Sequence, residues 1–321
     1  MNIFGDRFTI GLGGAPLAGL RTEVSEDDAL ATVNAAWDAG WRYFDTAPHY
    51  GLGLSERRLG AALAARPRSE YVLSTKVGRL LEPSDGGGDD LANGFAVPAH
   101  SRRVWDFSAD GVRRSLESSL ERLGTDHVEV VYLHDPDEHW EEASRQGIPA
   151  LVELREQGVV GAIGVGMNQW EMPARFVRET DVDVVMLAGR YTLLEQAALP
   201  EFLPLCLDRG VSVVAAGVFN SGLLSRPVVP DDAKYDYADA PAEVVDRARR
   251  IAAVCGEHGV TLPQVAIQFA LGHPAVVSVV IGSRTEQQMR SNASDFADPV
   301  PAELWSSLRD RGLLGAEVPV P

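Results

Sequence analysis

The feature that most constrains the fold of this chain is a strand–helix unit that recurs along its length. Short runs of apolar or β-branched residues alternate with longer amphipathic stretches. Most of these runs are continuously apolar, as expected for parallel strands that are covered on both faces. We predict eight strands, at residues 8–14, 43–46, 71–76, 128–134, 161–166, 182–187, 211–217 and 276–282.

Amphipathic helices are predicted between the strands. The first opens with Ser25 and three acidic residues and ends before Gly40, which are typical start and stop signals. Eight strand–helix units predict an α/β fold, a (β/α)8 TIM barrel in a single domain over residues 1–321; a doubly wound open sheet is the alternative. The predicted helices span residues 25–39, 55–65, 108–123, 148–157, 169–178, 195–209, 242–258 and 285–296, with two extra helices at 262–271 and 301–313.

One segment, residues 80–107, breaks this alternation. It contains three consecutive glycines at 86–88 and shows no periodicity, which predicts a long loop after the third strand. In a barrel such a loop lies over the rim that carries the active site. Trp105 and Phe107, near its end, are candidates for the wall of a substrate pocket, or they dock on the barrel without a role in binding.

Charge and cysteine content exclude several classes of protein. Lys plus Arg number 29 and Asp plus Glu 46, a formal net charge of −17 that disfavours binding to nucleic acid or to a membrane surface. Cys206 and Cys255 lie in no metal-ligand spacing, so we expect no metal site. Residues 1–7 lack the pattern of a secretory signal, and no apolar run is long enough to span a membrane. We expect a cytoplasmic monomer or small homo-oligomer whose partners are small molecules.

Four chemically useful side chains follow neighbouring predicted strands. Asp45 and Tyr50 follow the second strand, Lys76 ends the third and His134 ends the fourth. In a barrel they would meet at one mouth, where a lysine ammonium lowers the pKa of a phenol and an aspartate keeps the ammonium charged. A histidine there can donate a hydrogen bond to a carbonyl oxygen. Each residue alone has an ordinary structural explanation, but together they predict a proton-transfer site.

The glycines after the first strand do not form a dinucleotide-binding fingerprint. Gly11 and Gly13 fit a GxGxxG pattern, but Pro16 stands at its last position. We expect these glycines, with Gly14, to permit a close approach of the backbone near a cofactor or a tight turn.

Several motifs together resemble the aldo-keto reductase family. The run Asp45-Thr46-Ala47-Pro48-His49-Tyr50-Gly51 resembles the family's sequence signature, and the match continues in order along nearly the whole chain. Within the family, the segments at 105–111 and 134–137 resemble the branch of aldose 1-dehydrogenases. The other matching segments are Gly53-x-Ser55-Glu56, Leu59-Gly60, Gly164-Val165-Gly166-x-Asn168, Gly222-Leu223-Leu224 and Gly282-Ser283-Arg284 with Gln288 and Asn292.

This resemblance implies a barrel that binds a nicotinamide dinucleotide without a Rossmann domain. Asp45, Tyr50, Lys76 and His134 match the catalytic tetrad, with Tyr50 as general acid/base. His49, Trp105 and Phe107 are the expected substrate contacts. The cofactor would be NAD or NADP, with a slight preference for NAD because Gly282 and Gln288 replace basic residues that often flank a 2′-phosphate. The expected cofactor contacts are Gly14, Asn168, Gly217, Gly222, Leu224, Ser283, Arg284, Gln288 and Asn292. The chain departs from the family pattern at Met167, Met186 and Ala216.

The implied activity is oxidation of an aldose at its anomeric carbon to a lactone, with sugars of the L-fucose, L-galactose or D-arabinose type. The first alternative is an NADPH-dependent reductase of aldehydes or ketones, including pyridoxal-type aldehydes. The second is a nicotinamide-binding regulatory subunit without turnover, which an intact tetrad disfavours.

Overall fold

The computed structural model describes residues 8–236 and 238–321, in which eight parallel strands close into a barrel, as the sequence predicts. Each strand pairs with the next one along the chain, and β1 also pairs with β8. The expected lack of a secretory signal concerns residues 1–7, which lie outside the described residues. The barrel strands are β1 (Ile10–Gly13), β2 (Tyr43–Asp45), β3 (Val72–Val77), β4 (Val128–His134), β5 (Val160–Met167), β6 (Val184–Ala188), β7 (Ser212–Ala216) and β8 (Val276–Gly282).

The helices surround the barrel, and the two extra helices are present. Ser25 caps the first helix by accepting a hydrogen bond from the Asp28 N–H at 3.1 Å, as its position in the sequence predicts. The helices are α1 (Glu26–Asp38), α2 (Leu54–Leu63), α3 (Ala109–Leu123), α4 (Ile148–Glu156), α5 (Glu171–Glu179), α6 (Phe202–Arg209), α7 (Ala242–Glu257), α8 (Leu262–Phe269), α9 (Glu286–Ala297) and α10 (Ala302–Asp310), with a short helical stretch, Trp140–Glu142, and a π-helical turn, Ala143–Gly147, before α4.

The predicted helix over 195–209 is wrong in its first half, because α6 begins only at Phe202. The Thr192 hydroxyl accepts hydrogen bonds from the Leu194 and Glu195 N–H groups, at 3.2 and 3.0 Å, and so stabilises a turn. A side chain that bonds nearby backbone in this way competes with helix formation.

The long insertion predicted after the third strand, over residues 80–107, is present, but it is not irregular throughout, because it contains two antiparallel strand pairs. Arg79–Pro83 pairs with Ser101–Trp105, and Asp89–Asp90 pairs with Phe95–Pro98. Backbone hydrogen bonds join the second pair to the segment after β1: the Arg21 N–H donates to the Gly94 carbonyl at 2.7 Å. We call residues 79–105 the hairpin insertion.

The two largest apolar clusters of the described residues lie in and around the barrel. The larger one lies between the strands and the helices, and a smaller one fills the barrel interior. In the interior the Tyr43 hydroxyl lies 3.0 Å from the Ser74 hydroxyl and 3.3 Å from the Tyr132 hydroxyl, so these three buried hydroxyls have partners. None of the described helices is both long enough and apolar enough to cross a membrane.

Candidate active site

The structure brings the four predicted catalytic side chains together at the C-terminal mouth of the barrel. Asp45 ends β2, Lys76 lies in β3, His134 ends β4, and Tyr50 lies in the turn after β2. The Lys76 Nζ is 2.7 Å from the Asp45 Oδ2 and 4.6 Å from the centre of the Tyr50 ring. The Tyr50 and His134 rings meet edge to face, with their centres 5.8 Å apart. The four side chains therefore face the same small volume at the mouth of the barrel.

The Asp45–Lys76 ion pair is buried, with side-chain exposures of 3% and 2%. A buried ion pair is tolerated only when its remaining polar atoms are also satisfied. Here the Ser74 hydroxyl donates to the Asp45 Oδ1 at 2.7 Å, and the Lys76 Nζ donates to the Thr46 carbonyl at 3.0 Å. These hydrogen bonds fix the direction in which the ammonium points.

The charges of this pair follow from its geometry. Burial raises the pKa of Asp45, and the Lys76 ammonium opposes that rise. Burial also disfavours the ammonium, yet the nearby Asp45 and Tyr50 raise the pKa of Lys76 above its usual value. Because their atoms are within direct contact, we treat both as ionised, with the positive charge held beside the phenol.

The pKa of Tyr50 is higher than expected for a phenol beside a lysine ammonium. Burial, only partly offset by the Lys76 ammonium, raises the pKa of Tyr50 to about 12. Burial, with the positive charges of Arg79 and Lys76, lowers the pKa of His134 well below its usual range. At neutral pH the phenol is therefore a proton donor, and the imidazole is neutral and can donate an N–H bond without carrying charge.

These pKa shifts predict different pH profiles for the two directions of a hydride-transfer reaction. Proton donation from Tyr50 would be insensitive to pH from about 6 to 9, because the phenol stays protonated there. Proton removal by the phenolate would rise with pH, by up to about tenfold per unit. Profiles of kcat/KM in both directions test this. An inflection near the ordinary histidine pKa would contradict it, since His134 should not titrate in that range.

A cavity of about 700 Å³ opens beside these side chains. Its floor is formed by the ends of the barrel strands, including Gly166, Met186 and Ala216, and one wall by residues 91–95 of the hairpin insertion. A second cavity, of about 790 Å³, lies between α2, α3 and the start of β3 and includes none of the predicted site residues. Of these two cavities, only the first is lined by the four predicted catalytic residues.

Two of the predicted cofactor contacts, Asn168 and Gly217, line this cavity. Gly14 does not, and its place in the wall is taken by Gly13. A Cβ at Gly14 would lie 2.3 Å from the Ser55 Oγ and 2.8 Å from the Asp45 carbonyl. Gly14 thus permits close packing behind the wall. Its role as a cofactor contact stays a prediction.

The loop after β7 places Gly222 and Leu224 at the same end of the barrel. Gly222 is exposed, with a φ of 97° that favours glycine. The Leu224 side chain is fully buried in the core, so this residue can offer only backbone to a ligand.

The last predicted contacts surround the start of α9. Ser283 and Asn292 are buried and bonded to each other, the Asn292 Nδ2 donating to the Ser283 Oγ at 2.9 Å. The Arg284 backbone N–H donates to the Gln288 Oε1 at 3.0 Å, and the Arg284 guanidinium donates to the Leu20 carbonyl at 3.0 Å. The guanidinium therefore lies beside the segment after β1, which borders the cavity.

Of the predicted substrate contacts, only His49 lines the cavity. Phe107 is fully buried in the main core, where its ring packs against His139 with centres 5.3 Å apart, so its assignment as a substrate contact is wrong. Trp105 is 43% exposed and lies outside the cavity wall, with the Arg79 guanidinium 5.1 Å from its ring centre.

Sequence reasoning missed Phe95, which packs on the catalytic turn. Its ring centre lies 5.4 Å from that of His49 and 6.1 Å from that of Tyr50. A buried ion pair holds this contact in place: the Arg103 guanidinium donates to Asp90 at 2.7 Å and to the His49 carbonyl at 2.8 Å. No motif in the sequence pairs these residues, and only the hairpin brings them together.

Comparison with known proteins identifies the family. The sequence model of the Aldo/keto reductase family matches residues 9–310. The chain belongs to the aldo/keto reductase family. It is an oxidoreductase, and nicotinamide cofactors and small-molecule substrates are the rule in this family. The described residues contain no group of three or more His, Cys, Asp or Glu placed to hold a metal ion.

Among its relatives, this aldo/keto reductase is 48% identical over 309 residues to a D-threo-aldose 1-dehydrogenase of a Pseudomonas species, covering 95% of this chain and 94% of that protein. It is 42% identical to a pyridoxal 4-dehydrogenase of Microbacterium luteolum, again covering 95% of this chain and 94% of that protein. The L-galactose dehydrogenase of Arabidopsis thaliana is 31% identical, over 89% of this chain and 83% of that protein. The predicted resemblance to the aldose dehydrogenase branch is confirmed.

A solved structure agrees with the fold. The holo form of an aldo-keto reductase from Bacillus halodurans superposes with a TM-score of 0.73 at 26% identity, over 97% of this chain and 93% of that chain. The (β/α)8 barrel predicted from the sequence is therefore confirmed.

Proposed function

We propose that this aldo/keto reductase is an NAD-dependent aldose 1-dehydrogenase, which oxidises the anomeric carbon of an aldose to a lactone. The observation that carries the proposal is the buried Asp45–Lys76 pair against the Tyr50 ring, beside a cavity that all three residues line. The 48% identity to a D-threo-aldose 1-dehydrogenase supports the choice of substrate class. We place the enzyme in the cytoplasm, because both cysteines are buried free thiols.

The residues around the cavity fit a nicotinamide dinucleotide. Small residues at four strand ends or just beyond them, Gly13, Gly166, Gly217 and Gly282, line the cavity and leave room for a flat ring and a diphosphate to approach the backbone. A Cβ at Gly282 would lie 2.6 Å from the Pro16 ring, so side chains are excluded at this point. Asn168 would hold the carboxamide, and the segment around Arg284 would hold the adenosine half. When bound, the nicotinamide would accept the hydride that leaves the sugar.

The chain's own residues would handle the proton and the orientation of the sugar. The neutral His134 donates a hydrogen bond to the anomeric oxygen and orients it toward Tyr50. The Tyr50 phenolate, stabilised by the Lys76 ammonium, removes the proton of the anomeric hydroxyl as the C1–H bond breaks. The electron pair of the O–H bond becomes the π bond of the lactone carbonyl. In the reverse reaction Tyr50 donates the proton to a carbonyl oxygen.

Selection of NAD over NADP is proposed from the surroundings of Arg284. The Gln288 side chain accepts a hydrogen bond from the Arg284 backbone N–H and is uncharged. This position of α9 therefore adds no positive charge beside the Arg284 guanidinium. Burial, with the positive charge of Arg21, lowers the pKa of Arg284, and Arg21 also lines the cavity. The uncharged Gly282 and Gln288 stand where basic residues often flank a 2′-phosphate in this family, which favours NAD. Comparison of the two oxidised cofactors at fixed aldose concentration tests this choice, with a larger kcat/KM for NAD expected.

A specific observation favours one alternative, oxidation of pyridoxal or reduction of related aldehydes. The 42% identity to a pyridoxal 4-dehydrogenase covers the same 95% of the chain. The catalytic side chains would be the same, and only the walls of the cavity decide between a sugar and an aromatic aldehyde.

A substrate panel separates these functions. Aldoses and pyridoxal are each offered with NAD or NADP, and aldehydes with the reduced cofactors, while the absorbance of the reduced nicotinamide is followed. We expect the highest kcat/KM for an aldose with NAD. A higher value for pyridoxal or for aldehyde reduction would contradict the proposal, as would cofactor binding, measured by fluorescence titration, without turnover on any member of the panel.

A further inference from the structure

Asp135 lies in the cavity wall next to His134, yet the proton transfer described above does not use it. Its backbone adopts a φ of 45°, a left-handed conformation that is uncommon outside glycine but tolerated by aspartate. The Asp135 N–H donates to the Gly166 carbonyl at 3.0 Å, and so anchors this conformation to β5. Unusual backbone that is held in place at a cavity indicates a functional constraint on the side chain.

The two oxygens of the Asp135 carboxylate have different surroundings. Oδ2 accepts a hydrogen bond from the Arg79 guanidinium and lies 3.7 Å from the His134 Nε2. Oδ1 makes no hydrogen bond to any described residue, and the side chain retains 21% of its exposure. Because Asp135 lines the cavity, this exposure gives Oδ1 access to a ligand there.

The Arg79 guanidinium stabilises the negative charge of the Asp135 carboxylate. The Arg79 side chain is only 10% exposed and lies over the Trp105 ring, so it is held by packing in the hairpin insertion. Burial raises the pKa of Asp135, and the Arg79 guanidinium opposes that rise. In its ionised form the carboxylate accepts hydrogen bonds but donates none. A ligand group that meets Oδ1 must therefore bring a donor, such as a hydroxyl.

We propose that Asp135 accepts a hydrogen bond from the sugar hydroxyl on the carbon next to the reacting one. This inference rests on the proposed function. If the anomeric oxygen lies between Tyr50 and His134, the group nearest to Asp135 is the 2-hydroxyl or the ring oxygen, and only the hydroxyl can donate. The enzyme would then select aldoses with a free 2-hydroxyl over 2-deoxy aldoses and over aldehydes that lack a neighbouring hydroxyl, because their binding leaves the carboxylate unpaired.

The test compares the best aldose of the panel with its 2-deoxy analogue in the wild type and in Asp135→Asn. In the wild type we expect kcat/KM to favour the hydroxylated sugar by roughly 10- to 100-fold. Asp135→Asn weakens the acceptor and should reduce this ratio by at least about tenfold, with the loss concentrated on the hydroxylated sugar. The ratio is the readout because a merely structural role would lower both rates together.

Two control variants separate recognition from folding. Asp137→Asn makes the same change two residues away, at an exposed carboxylate outside the cavity, and should leave the ratio unchanged. Arg79→Lys alters the partner but keeps the Asp135 carboxylate, and should retain most of the ratio. Thermal melting shows whether each variant is folded.

Different results would overturn the recognition role of Asp135 and the proposed aldose oxidation. If the wild type oxidises aldoses but Asp135→Asn lowers both rates equally, or if Arg79→Lys abolishes the ratio as fully as Asp135→Asn, the recognition role of Asp135 is overturned and the proposed function stands. If the wild type oxidises no aldose, the proposed function is overturned, and this inference with it.

Discussion

Tyr50→Phe is expected to lower kcat by about 10²–10⁴-fold, the range that a general acid/base contributes. The substitution removes only the hydroxyl that exchanges a proton with the substrate. The ring remains packed between Phe95 and His134, so the cavity should keep its shape. Cofactor affinity should therefore change by no more than about twofold, because the proposed cofactor contacts lie elsewhere in the wall. Steady-state kinetics and a fluorescence titration of the cofactor measure the two quantities.

Tyr191 offers a matched control for this prediction. Its hydroxyl is buried and has no hydrogen-bond partner among the described residues, and it packs against Phe269 in the core. Tyr191→Phe should keep full turnover, since the same atom is removed at a residue that does not line the cavity. Turnover in Tyr50→Phe within tenfold of the wild type would show that another group transfers the proton.

Lys76→Met is expected to lower both stability and activity. It leaves the Asp45 carboxylate buried at 3% exposure without its counter-ion, although the Ser74 hydroxyl still donates to it. Removal of one partner of a buried ion pair costs about 3–5 kcal/mol of unfolding free energy. It also removes the ammonium that stabilises the Tyr50 phenolate, so aldose oxidation should be lost. Urea denaturation and steady-state kinetics test the two effects.

A double variant separates the two consequences. In Asp45→Asn with Lys76→Met neither charge remains, so we expect much of the stability to return while activity stays lost. Such non-additivity is typical of residues in direct contact. If the unfolding free energy of Lys76→Met lies within about 1 kcal/mol of the wild-type value, the ion pair does not contribute substantially to stability. If the double variant is less stable than the single one, the loss has another cause.

The barrel was predictable because each strand carries its own signal. Parallel strands that are buried on both faces read as continuous apolar runs, and the bounds predicted for β4 and β8 agree with the structure. The tetrad was predictable for a related reason: once the strands are parallel and in order, residues at their C-terminal ends must meet. Asp45, Lys76 and His134 needed no knowledge of side-chain packing to be placed together.

The hairpin insertion was not predictable in this way. Its strands of two to five residues are too short to establish a period, and the ion pair between Asp90 and Arg103 that joins the two strand pairs leaves no pattern in the sequence. The same limit explains Phe107. An aromatic residue near the end of a loop reads as a pocket wall, but its direction is set by contact with Gly78, where a Cβ would lie 2.1 Å from the Phe107 ring.

The pKa of Tyr50 shows a second limit of sequence reasoning. The Lys76 ammonium, which lowers the pKa of Tyr50, is visible in the sequence. The burial that raises this pKa by a larger amount depends on the packing of Phe95 and His49 around the turn. Asp135 was visible as the neighbour of His134, but its left-handed backbone and its pairing with Arg79 were not.

We propose that the side chains at this mouth direct hydride transfer from the anomeric carbon of an aldose to a nicotinamide. The most direct measurement uses an aldose that carries deuterium at C1, with mass spectrometry of the reduced cofactor and of the sugar product. We expect one deuterium in the reduced cofactor for each lactone formed, and the loss of both in Tyr50→Phe. Lactone formation with the deuterium absent from the cofactor, or oxidation at another carbon of the sugar, would contradict it.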